Sequence, residues 1–287
     1  MPIHRIGGGT TLYFVLGHPV AQVRAPEVFN PIFAAHGIDA VLVPAAVPPV
    51  ALPAFITGSV QAENVGGLWL TIPHKAAVLP LLSKVDEQGT LAGAVNAVRK
   101  APGGALEGAL FDGLGLVASL DHVGVALAGR RVLLVGTGGA GMAIAVAIAA
   151  RPVAELALFD MQPQRAAATA ERLSAGGTRP VRAAAQVDPA GFDVVVHATP
   201  LGMRPDDPLP FDVARLSPGA TVVDILMKPA GTPLQRACDR TGVAYHPGFE
   251  MLTQQVPAYL RFFGHDAVAD TVDLEPVRRR VRALAED

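Results

Sequence analysis

One stretch decides the fold of this chain: Arg131-Val132-Leu133-Leu134-Val135-Gly136-Thr137-Gly138-Gly139-Ala140-Gly141. An apolar run typical of a buried strand stops at a G-x-G-x-x-G loop, and residues 142–150 then suit a buried helix. Strand, glycine loop and helix in this order form a dinucleotide site, because the glycines permit a tight turn, a close pyrophosphate and close helix packing. We therefore expect a dinucleotide to bind at the helix N-terminus. The predicted contacts are Gly136, Gly138, Gly139, Ala140 and Gly141.

The second strand of such a unit should end in an acidic residue, and the apolar run 155–159 is followed by Asp160. Asp160 lies close to the roughly 20-residue offset expected after the loop. A carboxylate there accepts hydrogen bonds from the ribose hydroxyls and repels a 2′-phosphate, which favours NAD over NADP. The alternative is that Asp160 is a solvated residue at the end of a strand.

Composition limits the class of protein. The 287 residues suggest two domains of ordinary size, and 51% of them are hydrophobic, enough for a sizeable core. A net charge of −2 gives no indication of a nucleic-acid or membrane partner. The single cysteine, Cys238, excludes an internal disulfide and a cysteine-based zinc cluster and fits the cytoplasm, and no metal is expected. We find no signal-peptide pattern and no apolar run of the roughly 18 residues that span a bilayer.

Residues 1–112 are predicted to form a small α/β domain. Apolar runs typical of buried strands occur at 12–17, 40–44 and 67–72. Stretches that can form helices lie between them, at 26–36 and 49–57. A hairpin is indicated by apolar runs on both sides of Pro102-Gly103-Gly104, at 94–98 and 106–111.

Residues 113–248 are predicted to form the dinucleotide-binding domain, entered through a helix at 114–127. Strands after the glycine loop are expected at 156–159, 180–183, 194–197, 222–225 and 243–245. Strands that alternate with helices indicate a parallel, doubly wound Rossmann sheet. Residues 249–287 are expected to be helices that return to the first domain, with the substrate in a cleft between the domains. Arg278–Arg280 is interpreted as a solvated helix face.

Two polar residues follow predicted strands of the first domain. Lys75 lies in Thr71-Ile72-Pro73-His74-Lys75, where a strand ends and a helix begins, and a lysine beside an apolar cleft can relay a proton. Taken alone, it would more often be a surface lysine. Asp112 follows the run 106–111, and an Asp-Gly pair alone is more often a turn.

Eight motifs in one order resemble the shikimate/quinate dehydrogenase family, and the resemblance runs from about Leu12 to Gly264. They are Gly17-His18-Pro19-Val20, Thr71-Ile72-Pro73-His74-Lys75, Gly93-Ala94-Val95-Asn96, Asp112-Gly113-Leu114-Gly115, Gly136–Ala143, Ala198-Thr199-Pro200-Leu201-Gly202-Met203, Thr232-Pro233-Leu234 and Gly248-Phe249-Glu250-Met251-Leu252-Thr253-Gln254-Gln255.

The resemblance implies an oxidoreductase that interconverts a ring hydroxyl and a ketone with a nicotinamide cofactor. It implies that Lys75 and Asp112 are the catalytic pair and that Thr71, Asn96 and Gln255 contact the substrate. A structural hydrogen bond is the alternative role for Asn96 and Gln255. The resemblance also implies further cofactor contacts at Thr199, Pro200, Met203, Gly248 and Met251.

The sequence departs from the family where the substrate carboxylate is bound. Val23 and Ala25 occupy the two usual serine positions, Trp69 replaces an asparagine, and Met227 replaces a tyrosine. A buried carboxylate left without partners would cost several kcal/mol. We therefore expect shikimate to be a poor substrate, with an apolar or differently placed group at these positions. The alternative is that Arg24 or Gln22 swings in to hold an acid.

The cofactor positions depart as well. The family's NADP-using members carry Asn-Arg-Thr where this chain has Asp160, Met161 and Gln162, so the arginine that clamps the 2′-phosphate is missing. Arg165 remains nearby, and Asp160 can attract it. His197 replaces an asparagine, and it either lines the cofactor site or caps a strand end.

The function expected from these features is an NAD-dependent dehydrogenase of a cyclic hydroxy acid or polyol. One alternative is an ordinary shikimate or quinate dehydrogenase with rearranged carboxylate contacts. Another is a regulatory NAD-binding protein without catalysis, although Lys75 and Asp112 argue against it. A one-carbon dehydrogenase of similar layout would not explain Asp112-Gly113 or Gln255. A homodimer is expected from the family alone.

Overall fold

The computed structural model describes residues 6–21, 23–175, 180–228 and 231–283. Their strands are β1 (Thr11–Gly17), β2 (Ala40–Ala46), β3 (Val65–Leu70), β4 (Lys84–Val85), β5 (Ala97–Lys100), β6 (Leu106–Ala109), β7 (Arg131–Val135), β8 (Glu155–Phe159), β9 (Val181–Ala183), β10 (Val194–His197), β11 (Thr221–Asp224) and β12 (Ala244–His246). Their α-helices are α1 (Ala25–Ala35), α2 (Leu52–Ser59), α3 (His74–Ala77), α4 (Glu87–Ala92), α5 (Asp112–His122), α6 (Gly139–Ala149), α7 (Pro163–Ala175), α8 (Pro233–Thr241), α9 (Phe249–Gln254), α10 (Val256–Phe262), α11 (Asp266–Thr271) and α12 (Leu274–Ala283).

The described chain divides into two compact units. The first contains the chain up to Phe111 together with Gln255–Arg280, and the second contains Asp112–Gln254 and the residues after Arg280. The sequence-derived domain boundaries, 1–112 completed by 249–287 and 113–248, stay a prediction.

A mixed sheet forms the centre of the first unit, and its described strands run in the order β2-β1-β3-β5-β6-β4. Strands β1, β2 and β3 are parallel, whereas β5 is antiparallel to both β3 and β6. One core of this unit contains fully buried side chains such as Leu16, Leu52, Ile56 and Leu68. The strands predicted in this part of the chain are therefore confirmed, with small shifts at their ends.

The hairpin predicted around residues 102–104 is confirmed, because β5 and β6 pair there and Gly103 and Gly104 have φ of 89° and 85°. Its first strand begins only at Ala97. The backbone N–H of Val95 donates instead to the carbonyl of Lys75 at 2.8 Å. The residues before β5 therefore connect to α3 and do not extend the hairpin.

The second unit contains a parallel sheet whose described strands run in the order β12-β11-β10-β7-β8-β9. This is the doubly wound dinucleotide-binding order, in which the strand order reverses next to β7. Side chains of β7 after Arg131 are buried, as a central parallel strand covered on both faces requires. The predicted Rossmann architecture is thus confirmed.

The core of the second unit includes Leu133, Val195, Val222 and Cys238. Cys238 on α8 is fully buried. Burial, assisted by the charges of Asp239 and Asp224, raises the pKa of its thiol to about 11. This cysteine is therefore a small apolar side chain of the core.

Two predictions about helices are wrong in detail. The helix predicted to continue to residue 127 ends at His122, because Gly124 adopts a φ of 78° and the chain reverses there. The basic tail is only partly solvated. Arg279 is exposed, but Arg278 and Arg280 are half-buried; Arg278 pairs with Glu275, and Arg280 donates to the carbonyl of Glu27 at 3.2 Å. None of the described helices has both the length and the apolar character needed to cross a membrane.

Candidate active site

The glycine loop, Gly136–Gly141, connects β7 to the N-terminus of α6. Gly136 has a φ of 101°, a conformation that L side chains rarely adopt. A Cβ at Gly141 would stand 2.0 Å from the carbonyl oxygen of Gly136, so the start of the helix lies against the end of the strand. Around Gly138 and Gly139 a Cβ would meet nothing within 4 Å. The loop therefore fits a pyrophosphate, with open space in front of the helix N-terminus.

Asp160 lies at the end of β8 and is bonded to the glycine loop. Its Oδ2 accepts from the backbone N–H of Thr137 at 2.8 Å and from the Thr137 hydroxyl at 2.9 Å, and its Oδ1 accepts from the N–H of Gln162 at 2.9 Å. Burial raises the pKa of Asp160, but these hydrogen bonds and the charge of Arg165 outweigh it, so the pKa falls below its ordinary value. Asp160 is therefore held as a carboxylate beside the loop and is not a freely solvated strand end.

The residues after Asp160 are at the surface. Met161 is 85% exposed, and Arg165 on α7 is exposed. Met161 offers no charge, and Arg165 acts on Asp160 through its electrostatic field. No hydrogen bond in the described residues joins the Arg165 guanidinium to Asp160.

The loop after β10 lies against the glycine loop. A Cβ at Gly136 would stand 2.7 Å from the carbonyl oxygen of Ala198 and 2.8 Å from Cγ2 of Thr199. Pro200 and Met203, farther along this loop, are exposed. The structure thus brings Thr199 to the predicted cofactor loop.

Gly248 and Met251 belong to a separate part of the second unit. A Cβ at Gly248 would stand 2.3 Å from the carbonyl oxygen of Ile225, so the chain before α9 packs tightly against the residues that follow β11. Met251 on α9 is buried. The predicted cofactor roles of both residues stay predictions.

Lys75 lies in the short helix α3 and is half-buried. His74 anchors this helix, because it is fully buried and its Nε2 bonds to the carbonyl of Val47 at 2.8 Å. Burial lowers the pKa of His74, as does the nearby His18, and the Val47 carbonyl opposes them. Since the Lys75 carbonyl also accepts from the backbone N–H of Val95, two bonds from other segments hold the first turn of this helix.

Asn96 is one of the predicted substrate-binding residues of the first unit. It is buried, and its Oδ1 accepts from the backbone N–H of Phe111 at 3.0 Å. Its own carbonyl accepts from the hydroxyl of Tyr259 at 3.4 Å. Tyr259 follows the buried Gln255 by one helical turn, and Phe111 directly precedes Asp112 in the chain. Asn96 therefore does have the structural bond considered as an alternative, and this bond fixes the residue before Asp112.

Asp112 is buried at the first turn of α5. The next residue, Gly113, explains the glycine of the motif, because a Cβ there would stand 2.0 Å from the carbonyl oxygen of Ala143 on α6. Asp112-Gly113 is therefore the start of a helix that packs closely on the dinucleotide helix. The alternative of an isolated turn is wrong.

The positions of the two missing serines are at the start of α1. Val23 and Ala25 are half-buried. Arg24 between them donates to Oε1 of Glu27 at 3.3 Å, so its guanidinium already has an acidic partner. Gln22 lies outside the described residues.

Trp69 and Met227 occupy contrasting environments. The Trp69 indole is 4% exposed and stacks on Phe263 at 4.1 Å and on Tyr259 at 5.3 Å between ring centroids. Its Nε1 is buried and has no hydrogen-bond partner among the described residues. Met227, after β11, is 42% exposed. A polar position of the family is thus packed with aromatic rings in this chain.

Sequence reasoning missed a buried polar network formed by His197, Thr199, Asp224, Thr232 and Tyr245. His197 is fully buried at the end of β10, as its alternative role at a strand end requires. Its ring bonds to Asp224 at 3.1 Å and to Thr199 at 2.6 Å. Only the acid at the end of an otherwise apolar run, Val222-Val223-Asp224, could have indicated the network. In the described residues, no cluster of His, Cys, Asp and Glu side chains has the composition of a metal site.

Comparison with known proteins agrees with this architecture. Residues 15–98 match the family model of the shikimate dehydrogenase substrate binding domain. A protein of Rubrobacter xylanophilus named shikimate dehydrogenase (NADP(+)) is 40% identical over 89% of this chain and 91% of its own length.

Two solved structures extend the comparison. The ligand-free 5-ketofructose reductase of a Gluconobacter strain is 26% identical with a TM-score of 0.86, covering 97% of this chain and 100% of its own. The quinate dehydrogenase of Corynebacterium glutamicum in complex with NAD is 27% identical with a TM-score of 0.84, covering 96% and 99%. The chain belongs to the shikimate dehydrogenase family, and it is an oxidoreductase that acts on a CH–OH group with a dinucleotide cofactor.

Proposed function

We propose that this protein transfers hydride between NAD and a ring hydroxyl or ketone of a shikimate- or quinate-like molecule, with Lys75 and Asp112 as the catalytic pair. The observation that carries the proposal is the Asp160 carboxylate bonded to the glycine loop. The substrate contacts proposed with it are Thr71, Asn96 and Gln255.

The choice of NAD rests on charge. A carboxylate whose pKa is lowered stays negative at neutral pH, where it accepts hydrogen bonds from a ribose diol and repels a 2′-phosphate. The Rubrobacter relative is named for NADP(+), but the clamp arginine of the NADP-using pattern is missing from this chain. The NAD complex of the Corynebacterium quinate dehydrogenase supports NAD in a chain of this fold.

Lys75 is the residue that we propose for proton transfer. When bound, the dinucleotide supplies the hydride acceptor for alcohol oxidation. Lys75 takes the proton of the substrate hydroxyl at Nζ and returns it to the carbonyl oxygen in the reverse reaction. The bond from Val95 to the Lys75 carbonyl and the anchor at His74 hold the backbone of this residue in place. Asp112 accepts a hydrogen bond from the substrate and orients the lysine.

The positions where the family binds the substrate carboxylate carry less polar side chains in this chain. Val23 and Ala25 have no hydroxyl, the Trp69 indole is enclosed by aromatic rings, and Arg24 is paired with Glu27. A carboxylate at these positions would lose charge-assisted hydrogen bonds of about 1.5–3 kcal/mol each. The similarity to 5-ketofructose reductase supports a substrate without a carboxylate at these positions, because a ketose is a polyhydroxy ketone without a carboxyl group. We therefore propose a cyclic hydroxy acid with a relocated carboxylate, or a polyol, as the substrate.

The second candidate is ordinary shikimate or quinate dehydrogenase activity with rearranged carboxylate contacts. The name of the 40% identical Rubrobacter relative favours it. Both candidates share the roles of Lys75 and Asp112 and differ only in how the carboxylate is held. A dimer remains a prediction from the family.

The test is a steady-state panel of shikimate, quinate, cyclic polyols and ketoses, each with NAD(H) and NADP(H). The proposal expects a higher kcat/KM with NAD and a better substrate than shikimate. Turnover of shikimate comparable to a housekeeping shikimate dehydrogenase would support the second candidate. A higher kcat/KM with NADP would refute the choice of cofactor.

A further inference from the structure

The buried network joins the ends of two neighbouring strands to the loop that touches the glycine loop. Asp224 ends β11 and His197 ends β10, and both side chains are fully buried. The ring of His197 lies between Asp224 and Thr199, with 3.1 Å from Nδ1 to Oδ1 and 2.6 Å from Nε2 to Oγ1. A buried ionisable residue that bonds on both sides is a rigid link between its partners.

Both oxygens of Asp224 accept hydrogen bonds. Besides His197, its Oδ1 accepts from the backbone N–H of Leu226 at 3.0 Å. Its Oδ2 accepts from the hydroxyls of Tyr245 at 2.9 Å and Thr232 at 3.3 Å. Four donors therefore satisfy the two oxygens of this buried side chain.

The two bonds of the His197 ring join Asp224 to Thr199. Because a carboxylate only accepts, Nδ1 of His197 donates to Asp224. Nε2 bonds to the Thr199 hydroxyl. The same hydroxyl accepts from the backbone N–H of Leu201 at 3.2 Å. Thr199 therefore has one defined rotamer, set by His197 on one side and by its own loop on the other.

That rotamer points the Thr199 methyl group at the glycine loop. Cγ2 lies 2.8 Å from the position of a Cβ on Gly136, and the preceding carbonyl of Ala198 lies 2.7 Å from it. The first glycine of the loop is thus packed against a residue whose orientation His197 determines. Asparagine, the family's residue at this position, is too short to reach both partners.

We propose that His197 is a positioning residue for the dinucleotide: it couples Asp224 to Thr199 and so fixes the loop after β10 against the glycine loop. The proposal rests on the proposed role of the glycine loop and Thr199 in cofactor binding. In this proposal, His197 affects the affinity for the cofactor without contacting the cofactor or the substrate.

Two variants of similar size, His197→Asn and His197→Gln, each keep one of the two hydrogen bonds of the His197 ring. An asparagine amide reaches the position of Nδ1, so His197→Asn keeps a donor for Asp224 and loses Thr199. A glutamine amide reaches the position of Nε2, so His197→Gln keeps a partner for Thr199. Loss of one neutral hydrogen bond contributes about 0.5–1.5 kcal/mol, or roughly two- to tenfold in an equilibrium constant. We expect His197→Asn and His197→Gln each to raise the Kd of NADH two- to tenfold, because each breaks one of the two bonds that couple Asp224 to Thr199, measured by NADH fluorescence titration.

A double-mutant cycle tests the link itself. Thr199→Val removes the hydroxyl and keeps the shape, so it should raise the Kd at least as much as His197→Asn, because it also removes the bond from Leu201. The double variant should be no worse than Thr199→Val alone, because the bond between the two residues is already lost in that variant. Additive losses would overturn the proposal.

Tyr245→Phe is the stability control. It removes a donor from the far oxygen of Asp224, so it should lower Tm while the Kd of NADH stays within twofold of the wild type. If it raises the Kd as much as His197→Asn, the effect is general destabilisation and the proposal fails, as it does if His197→Asn leaves the Kd unchanged. Every variant is also titrated with NADPH. Tighter binding of NADPH than of NADH by the wild type would count against NAD as the cofactor. The ratio of the variant Kd to the wild-type Kd tests the role of His197 separately.

Discussion

The glycine loop of the second unit and the Thr71–Lys75 segment of the first unit are built in different ways. Backbone geometry forms the glycine loop, through a positive φ at Gly136 and a contact that leaves no room for a side chain at Gly141. Side chains on a short helix form the Thr71–Lys75 segment, which buried His74 and the bond between Val95 and Lys75 hold in place.

The difference explains which properties vary within one fold. A loop formed by backbone tolerates few substitutions, so its chemistry, a pyrophosphate at a helix N-terminus, stays the same. In the first unit we propose that side chains set specificity, because Val23 and Ala25 lack the hydroxyls that the family resemblance implies there. We therefore expect substitutions in the first unit to change substrate choice, and substitutions in the glycine loop to change stability and cofactor affinity.

Lys75→Ala should give the largest effect. Removal of a positioned proton acceptor should lower kcat by about 10²- to 10⁴-fold. Because Lys75 belongs to the first unit, the Kd of NADH should stay unchanged, measured by fluorescence titration. Lys84→Ala is the matched control, since Lys84 is a lysine of the same unit with a 74% exposed side chain. Wild-type turnover by Lys75→Ala would contradict the catalytic role of this lysine.

Val23→Ser with Ala25→Ser should restore affinity for a carboxylate. Hydrogen bonds to a charged group contribute about 1.5–3 kcal/mol each, so the two serines together should raise kcat/KM for shikimate about 10²- to 10⁴-fold. The same variant should gain nothing with a neutral polyol. An equal rise in kcat/KM for both substrates would mean that the two positions do not bind the carboxylate.

Gly113→Ala tests the backbone contact between α5 and α6. A Cβ there would stand 2.0 Å from the Ala143 carbonyl oxygen, and overpacking of this kind costs about 1–3 kcal/mol of unfolding free energy. Gly58→Ala on α2 is the matched control, because a Cβ there meets nothing within 4 Å. Alanine should stabilise that helix by about 0.5–1 kcal/mol. Denaturant unfolding of both variants measures the contrast, and destabilisation by Gly58→Ala would contradict it.

Asp160→Asn should change cofactor choice by a smaller factor. The amide oxygen still accepts from Thr137, but the charge that repels a 2′-phosphate is gone. We expect the ratio of kcat/KM for NAD to that for NADP to fall about tenfold, which corresponds to about 1.4 kcal/mol. An unchanged ratio would show that Asp160 supports the loop without selecting the cofactor.

The pH dependence of stability gives the smallest signal from the same residue. The pKa of Asp160 is lower in the folded protein than its ordinary value of 3.8. Its charge therefore stabilises the fold above the unfolded-state pKa, and this contribution is lost as the pH falls through the folded-state pKa. The Tm difference between wild type and Asp160→Asn should be constant at neutral pH and shrink below about pH 4. A difference that grows towards acid pH would contradict the assignment.

The sequence predicted the architecture well because periodicity and glycine spacing are local properties. The run ending at Gly136 and the following apolar helix were enough to indicate the Rossmann unit, which the strand order confirms. Helix ends were less accurate, as for α5, because Gly124 stops it before the expected residue.

The network around Asp224 could not be predicted, because its members lie on separate strands and loops and meet only in the folded sheet. The environment of Trp69 could not be predicted from the sequence either. A lone tryptophan in a strand does not show that Phe263 and Tyr259, nearly 200 residues later, stack on its ring. Contacts between distant segments of the chain are set by tertiary packing, which local patterns do not encode.

The state of Cys238 has a practical consequence. The thiolate is the form that reacts with alkylating reagents, and this fully buried thiol, with a pKa raised to about 11, supplies almost none of it at neutral pH. Since it is the single cysteine of the chain, we expect the native protein not to react with maleimide dyes. A cysteine introduced at exposed Met161, beside Asp160, would then carry a fluorophore alone and report the arrival of the dinucleotide in an otherwise unmodified protein.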